Sequence, residues 1–401
     1  FVEYLYNDRQ FIEQVLNKRS NLEVISSFTY TYDSAGNTIK MTEADGSITE
    51  WSYDELYRLI RETKYDAQGN ITHDVSYTYD GVGNRLSKTD NITGDVVNYS
   101  YDVMNRMEGY GGVSYSYDAN GNTVSKSVNN QTTIYEWDYD NRLKRVSLPD
   151  GSSVSYEYNG EGFRVKRVCG NEVKWFVYDG TKLVAELDGD GGLVRVFTYG
   201  RDKLVSMRVG ARSNFYLTDV IGSTTEISDG SGVVTDRYRY DAWGNVLIRE
   251  GSTENPFEYI GTKGYYAEGV DGMKVLGGRQ YWSEVGRFAS ADRVLTSLSR
   301  YAYANNSPLV MMDSSGMQAI PTQPWALWAW VIWWAISEFQ ALSGGWSETV
   351  TSSGTMTCVS GMSWASESRI GSRGGYPYSW FLHTTSTWWS CEGWIGACYS
   401  A

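Results

Sequence analysis

The sequence predicts an all-β protein in which repeated β-hairpins stack into one long sheet, followed by a small tryptophan-rich C-terminal unit. Three observations carry that expectation. In Val75–Tyr79, Val75, Tyr77 and Tyr79 fall on one face and Ser76 and Thr78 on the other, the period-two pattern of a strand with one packed face. Such segments run into a turn of the form D-x-x-G-N, where the aspartate can bond backbone N–H groups ahead of it and glycine supplies a positive φ. With 42 glycines, 32 tyrosines, only six prolines and 15% aromatic residues, the composition suits short strands joined by glycine turns.

Taken in order, residues 1–27 are mixed in period and read as a terminal cap or degenerate repeat. From Phe28 the period is plain: FTYTYDSAGNTIK, then VSYTYDGVGNRLSKT from Val75, VSYSYDANGNTVSKS from Val113 and WDYDNRLKRV from Trp137. Weaker copies carry Tyr53-Asp54, Tyr65-Asp66, Tyr101-Asp102, Tyr178-Asp179 and Tyr240-Asp241. One hairpin cannot bury its own face, so neighbours must stack, and the rings of Tyr79, Tyr117 and Tyr139 are expected to be packed. Second turns at Asp45-Gly46, Asp150-Gly151 and Asp229-Gly230 close the intervening hairpins. The LDGDGG run at 187–192 offers Asp188 and Asp190 but no following acidic ligand, so a bare turn is favoured over a calcium loop. The repeats span 28–215; a change of cadence at Tyr216 opens a terminal core over 216–317, and 318–401 form a distinct tail.

A net charge of −13 with no basic run leaves a phosphate backbone no stripe to bind, so nucleic acid is not an expected partner of the scaffold. Phe1 is no natural start, and no signal-peptide pattern follows it, so a fragment or processed product is expected. No cofactor or metal motif emerges.

The YD copies, together with PFEYIGTKGYYAEGVDGMKVLGGRQYWSEVGRFASADRVLTSLSRYAYANNSPLVMMDSSGM over Pro256–Met317, resemble the Rhs/YD-repeat family. That family includes bacterial polymorphic toxins, the C subunits of insecticidal Tc toxins and the teneurins. The resemblance covers residues 28–317. It implies a sheet wound into a spiral, closing in the toxins into a shell around a C-terminal cargo, with the terminal core as its cap. It implies a secreted or cell-surface protein whose partners are copies of itself or the N-terminal part of the same larger protein. An alternative reading is a self-assembling extracellular fibre or adhesin subunit joined through exposed strand edges or the tail. Tyr266, Tyr281 and Phe288 read as packing residues and Gly286 and Gly316 as turn formers.

Polymorphic-toxin members cut themselves after the core with an aspartate pair in two DPxG boxes. Asp292 and Asp313 fall in the matching places, one residue closer together than that pattern, with both prolines and the first glycine missing. The carry-over implies self-cleavage near Met317, with two close carboxylates sharing a proton so that one activates water and the other protonates the leaving amide. The other reading is that both aspartates only cap turns.

Beyond Met317 eleven of the sixteen tryptophans gather, while aspartate, lysine and asparagine vanish, so a hydrolytic or deaminating site is hard to assemble there. Cys358, Cys391 and Cys398 are disulfide candidates, favoured over a thiol–imidazole pair with His383; CEGWIGAC spaces its cysteines too widely for a zinc knuckle. Trp325–Ile336 is an unbroken apolar run; as a helix it would rise only about 18 Å, so it would plug the scaffold or lie at a membrane surface rather than span it.

Overall fold

The computed structural model describes residues 1–200, 203–293 and 299–322, plus the backbone of six short strands between 349 and 399. Trp325–Ile336, Cys358 and His383 lie outside the described residues. The chain divides into two compact units, Phe1–Trp330 and Val331–Ala401.

In the first unit, 24 strands from Val2–Tyr6 to Val246–Glu250 form one sheet in which consecutive strands pair antiparallel. The all-β expectation holds: among the described residues the only helical pieces are two single 3₁₀ turns. Residues 1–27 contribute the first two strands, Val2–Tyr6 and Ile12–Lys18, and lead into the third.

Each YD turn is built alike. At Asp80 the carboxylate accepts N–H groups from Val82 at 3.0 Å and Asn84 at 2.8 Å, and the Asn84 amide at 2.8 Å. Gly83 takes φ 90°, the left-handed region that a Cβ resists. Where arginine replaces the final asparagine, its Nε bonds the aspartate instead: Arg58 to Asp54 at 2.7 Å, Arg106 to Asp102 at 2.6 Å, Arg142 to Asp138 at 2.7 Å. The same guanidinium groups lie 5.0, 5.5 and 5.1 Å from the rings of Tyr79, Tyr117 and Tyr158 in the next copy, within cation–π range. Asp188 likewise spends its carboxylate on the N–H groups of Asp190 and Gly192.

In many copies the tyrosine before the aspartate has a second task. Its strand shifts register by one residue there, as between Thr78 and Tyr79, and its hydroxyl donates to a carbonyl of the strand before the preceding hairpin turn: Tyr53 to Thr38, Tyr79 to Leu59, Tyr101 to Arg85, Tyr158 to Leu143, Tyr240 to Thr224, at 2.7–2.9 Å. Trp137 does the same with Nε1 to Thr123 at 2.7 Å. This corrects one expectation. Trp137, not Tyr139, holds the packed place; Tyr139 stands in the turn between Asp138 and Asp140 and is fully exposed, at 105%.

Early and late strands meet through hydrogen bonds to side chains. Ser26 Oγ donates to Glu226 at 2.8 Å, Arg239 Nε to Glu43 at 3.0 Å, and the Ala242 N–H to Glu62 at 2.9 Å. No ladder joins these strands among the described pairings, so the sheet coils and laps over itself without closing. The terminal core packs against the aromatic face. Its four short antiparallel strands, Tyr266–Ala267, Met273–Leu276, Arg279–Trp282 and Arg287–Phe288, share two apolar clusters with the repeats, one with Trp51, Tyr77, Phe176 and Phe197, the other with Tyr99, Tyr135 and Tyr156. Tyr266, Tyr281 and Phe288 are buried, as their alternation implies.

In the second unit the backbone pairs Tyr376–Leu382 with Trp389–Glu392, and the latter with Cys398–Tyr399, setting Cys391 opposite Cys398.

Candidate functional site

The site grows out of the hairpin joining Met273–Leu276 to Arg279–Trp282. Gly277 and Gly278 turn the chain, and the lack of a side chain on Gly277 lets another stretch of backbone lie against it: a Cβ on Gly277 would sit 2.2 Å from the Ser315 carbonyl oxygen, and one on Gly316 would sit 2.3 Å from that of Leu276. Gly316 itself has φ 68°. Gly278 N–H donates to the Ser315 carbonyl at 3.2 Å. Residues 313–317 are thereby held against the turn.

Asp292 and Asp313 come together here, and both are buried. Between them stands Arg279, whose Nη2 donates to Asp292 Oδ2 at 3.0 Å and to Asp313 Oδ2 at 3.3 Å. The expected shared proton is thus replaced by a shared cation. Its guanidinium carbon lies 3.6 Å from the centre of the Phe288 ring. Burial draws the arginine's pKa down, and the two carboxylates draw it back up.

The Gly316–Met317 peptide is gripped at both ends. Arg279 Nε donates to the Gly316 carbonyl, and the Met317 N–H donates to Asp313 Oδ1 at 3.0 Å. Gln318 N–H and Ser315 Oγ reach the same oxygen at 3.0 and 3.1 Å. The Asp313 N–H donates to Tyr265 Oη at 2.8 Å, and Tyr265 is bonded to Tyr303 at 3.0 Å. On the other side, Asp292 N–H donates to the Arg300 carbonyl at 2.8 Å, and the Arg300 side chain bonds back to the Asp292 carbonyl.

Asp313 therefore does close a turn, and it also meets its predicted partner. Arg279 escaped the sequence reading. Its signal was a lone cation after two glycines inside the otherwise apolar and aromatic run VLGGRQYW, where a buried charge demands a partner. Among the described residues no group of histidine, cysteine and carboxylate side chains is arranged to hold a metal.

Fold and site together define a YD-repeat shell with an aspartate-lined junction before its tail. A family model described as teneurin YD-shell matches residues 55–309, and one described as RHS repeat matches residues 32–64; the chain belongs to this Rhs/YD-shell family. It is 29% identical over 296 residues to the tRNA3(Ser)-specific nuclease WapA of Bacillus spizizenii, covering 70% of this chain and 12% of that protein. Over 344 residues it is 26% identical to the double-stranded DNA deaminase toxin A of Burkholderia cenocepacia, covering 72% of this chain and 22% of that one. The chain thus spans only a small part of the curated relatives it matches. The crystal structure of TcdB2-TccC3-Cdc42 aligns with 79% of this chain and 21% of its own at 14% identity and a TM-score of 0.39, too loose a likeness to carry an argument.

Proposed function

We propose that this chain is the carrier end of a larger secreted or surface-exposed Rhs/YD-repeat protein, whose wall holds a non-catalytic C-terminal tip and separates from it by cutting the Gly316–Met317 bond. The observation that carries the proposal is the double grip on that peptide, carbonyl on Arg279 and amide on Asp313. Arg279 polarises the carbonyl and would stabilise the oxyanion. Asp292 takes a proton from the attacking water, whose oxygen bonds the Gly316 carbonyl carbon. The proton taken from that water passes on to the Met317 nitrogen as the C–N bond breaks, while Asp313 holds the amide in line. The cut is made once per chain. A tail lacking aspartate, lysine and asparagine supports the non-catalytic tip; the nucleic-acid chemistry in the relatives' names belongs to those proteins.

Intact mass spectrometry of freshly purified chain tests this. Fragments 1–316 and 317–401 are expected from the wild type, and one unbroken species from Asp292→Asn and Asp313→Asn. A wild type that stays whole on prolonged incubation would sink the proposal.

One feature favours the fibre reading. Among the described residues the outer edge of Val246–Glu250 pairs with no strand, and Val246, Leu247 and Ile248 are exposed, a combination that invites pairing with another copy. Concentration-dependent light scattering that Ile248→Lys abolishes would support it; a monomer at all concentrations would remove it.

A further inference from the structure

On the wall strand Thr123–Val128, Lys126 points at a turn of the terminal core that lies 145 residues further along the chain. Its Nζ sits 3.0 Å from Asp271 Oδ1. Lys126 is 7% exposed, and its amine lies 5.8 Å from the centre of the Trp282 ring. The other carboxyl oxygen, Oδ2, accepts from two donors: Trp282 Nε1 at 3.1 Å and the Tyr135 hydroxyl. The rings of Tyr115 and Tyr135 pack on Trp282 at 5.7 and 5.6 Å. A second carboxylate, Glu284, reaches in from solvent with Oε2 3.9 Å from the same Nζ. Asp271 holds a left-handed backbone, φ 49°, that aims its carboxyl group at the wall.

A buried ion pair needs only one carboxylate. This arrangement adds donors on the far oxygen and a second carboxylate beside the amine, which are the parts of an acyl transfer. We propose that Lys126 and Asp271 join in a spontaneous isopeptide bond that locks the terminal core to the wall. One ammonium proton passes along the existing hydrogen bond to Oδ1, leaving a neutral amine and a neutral acid. The amine nitrogen bonds Cγ while Trp282 Nε1–H and the Tyr135 hydroxyl hold the charge that gathers on Oδ2. Glu284 takes the surplus proton from the nitrogen and returns it to Oδ1. The Cγ–Oδ1 bond breaks and water leaves, so ammonium plus carboxylate become amide plus water. Fixed proximity supplies the drive that free amine and carboxylate lack in water.

Mass spectrometry of the denatured full chain reads the outcome directly. The wild type is expected to be lighter than its sequence by one water, with Lys126 and Asp271 in a single branched peptide after digestion. Lys126→Arg should restore the full mass, and Glu284→Gln should slow arrival at the lighter mass by about a hundredfold. A wild type of full sequence mass, with the two residues in separate peptides, overturns the proposal; a light mass that persists in Lys126→Arg overturns the assignment, and an unchanged rate in Glu284→Gln overturns that residue's part. Both linked residues precede Gly316, so the readout stands whether or not the tail is cut.

Discussion

At Arg279 a single guanidinium bonds two aspartates and a peptide carbonyl, so the geometry of the junction depends on one side chain. Gly316 is the sharpest probe of it. A methyl group there would meet the Leu276 carbonyl oxygen at 2.3 Å on a backbone of φ 68°, and the left-handed conformation alone costs about 1 kcal/mol or more for a residue with a Cβ. Gly316→Ala is expected to swing the carbonyl off Arg279 and leave the chain uncut by mass, while the wall melts within a degree or two of wild type by circular dichroism. Asp313 was legible because a D-x-x-G turn has a recognisable form even without its proline, and Asp292, which lacks that glycine, was placed by its spacing from Asp313. Arg279 was not, since nothing local says that a buried arginine faces residues 13 and 34 positions away. Tyr139 was misread for a related reason: in Trp137-Asp138-Tyr139-Asp140 two frames fit the YD pattern, and only packing chooses Trp137.

At the level of the hairpin, period two and the D-x-x-G-N turns made the strands legible almost throughout. The tie from the YD tyrosines to a carbonyl near the start of the preceding strand was not, because an alternating pattern places a ring on a face without saying where its hydroxyl ends. That tie carries a testable weight. Tyr79→Phe removes the 2.7 Å bond to the Leu59 carbonyl and should lower stability by about 1 kcal/mol. The shift would appear as a lower urea midpoint at unchanged slope. In the tail, the register that sets Cys391 opposite Cys398 leads us to propose a disulfide between them. Non-reducing peptide mapping should find that pair linked and Cys358 alkylated, and a linked Cys358 would refute it.

Across the whole first unit, the lap between early and late strands carries acids that nothing in the repeat period foretells. Burial pushes Asp219 up to about 6, above the ordinary carboxylate range, against the N–H groups of Ser223 and Gly222, which favour its charge. Tyr4, Tyr30 and Lys203 face it. Because the folded pKa lies above the unfolded one, the folded state binds the extra proton first, so stability rises as pH falls from 7 through 6 and levels off near 4. Two units correspond to at most about 3 kcal/mol, and the part-exposed residue should give less. Asp219→Asn, which keeps an acceptor for the turn, is expected to flatten the melting temperature between pH 7 and 5; a slope as steep as wild type would exclude Asp219 as its source.

The position of Arg279, Asp292 and Asp313 along the chain also sets a clock. Successive neighbours pair in the wall, so its ribbon can form in the order in which a ribosome delivers it. The trio instead lies in the last stretch before the tail and is braced by residues from much earlier copies, among them Asn84 on Arg287 and Gly121 on Tyr301. If the proposed cut is made, a nascent chain therefore owns no blade until nearly all of its sheath has been made, and severance would follow shelter by sequence order alone.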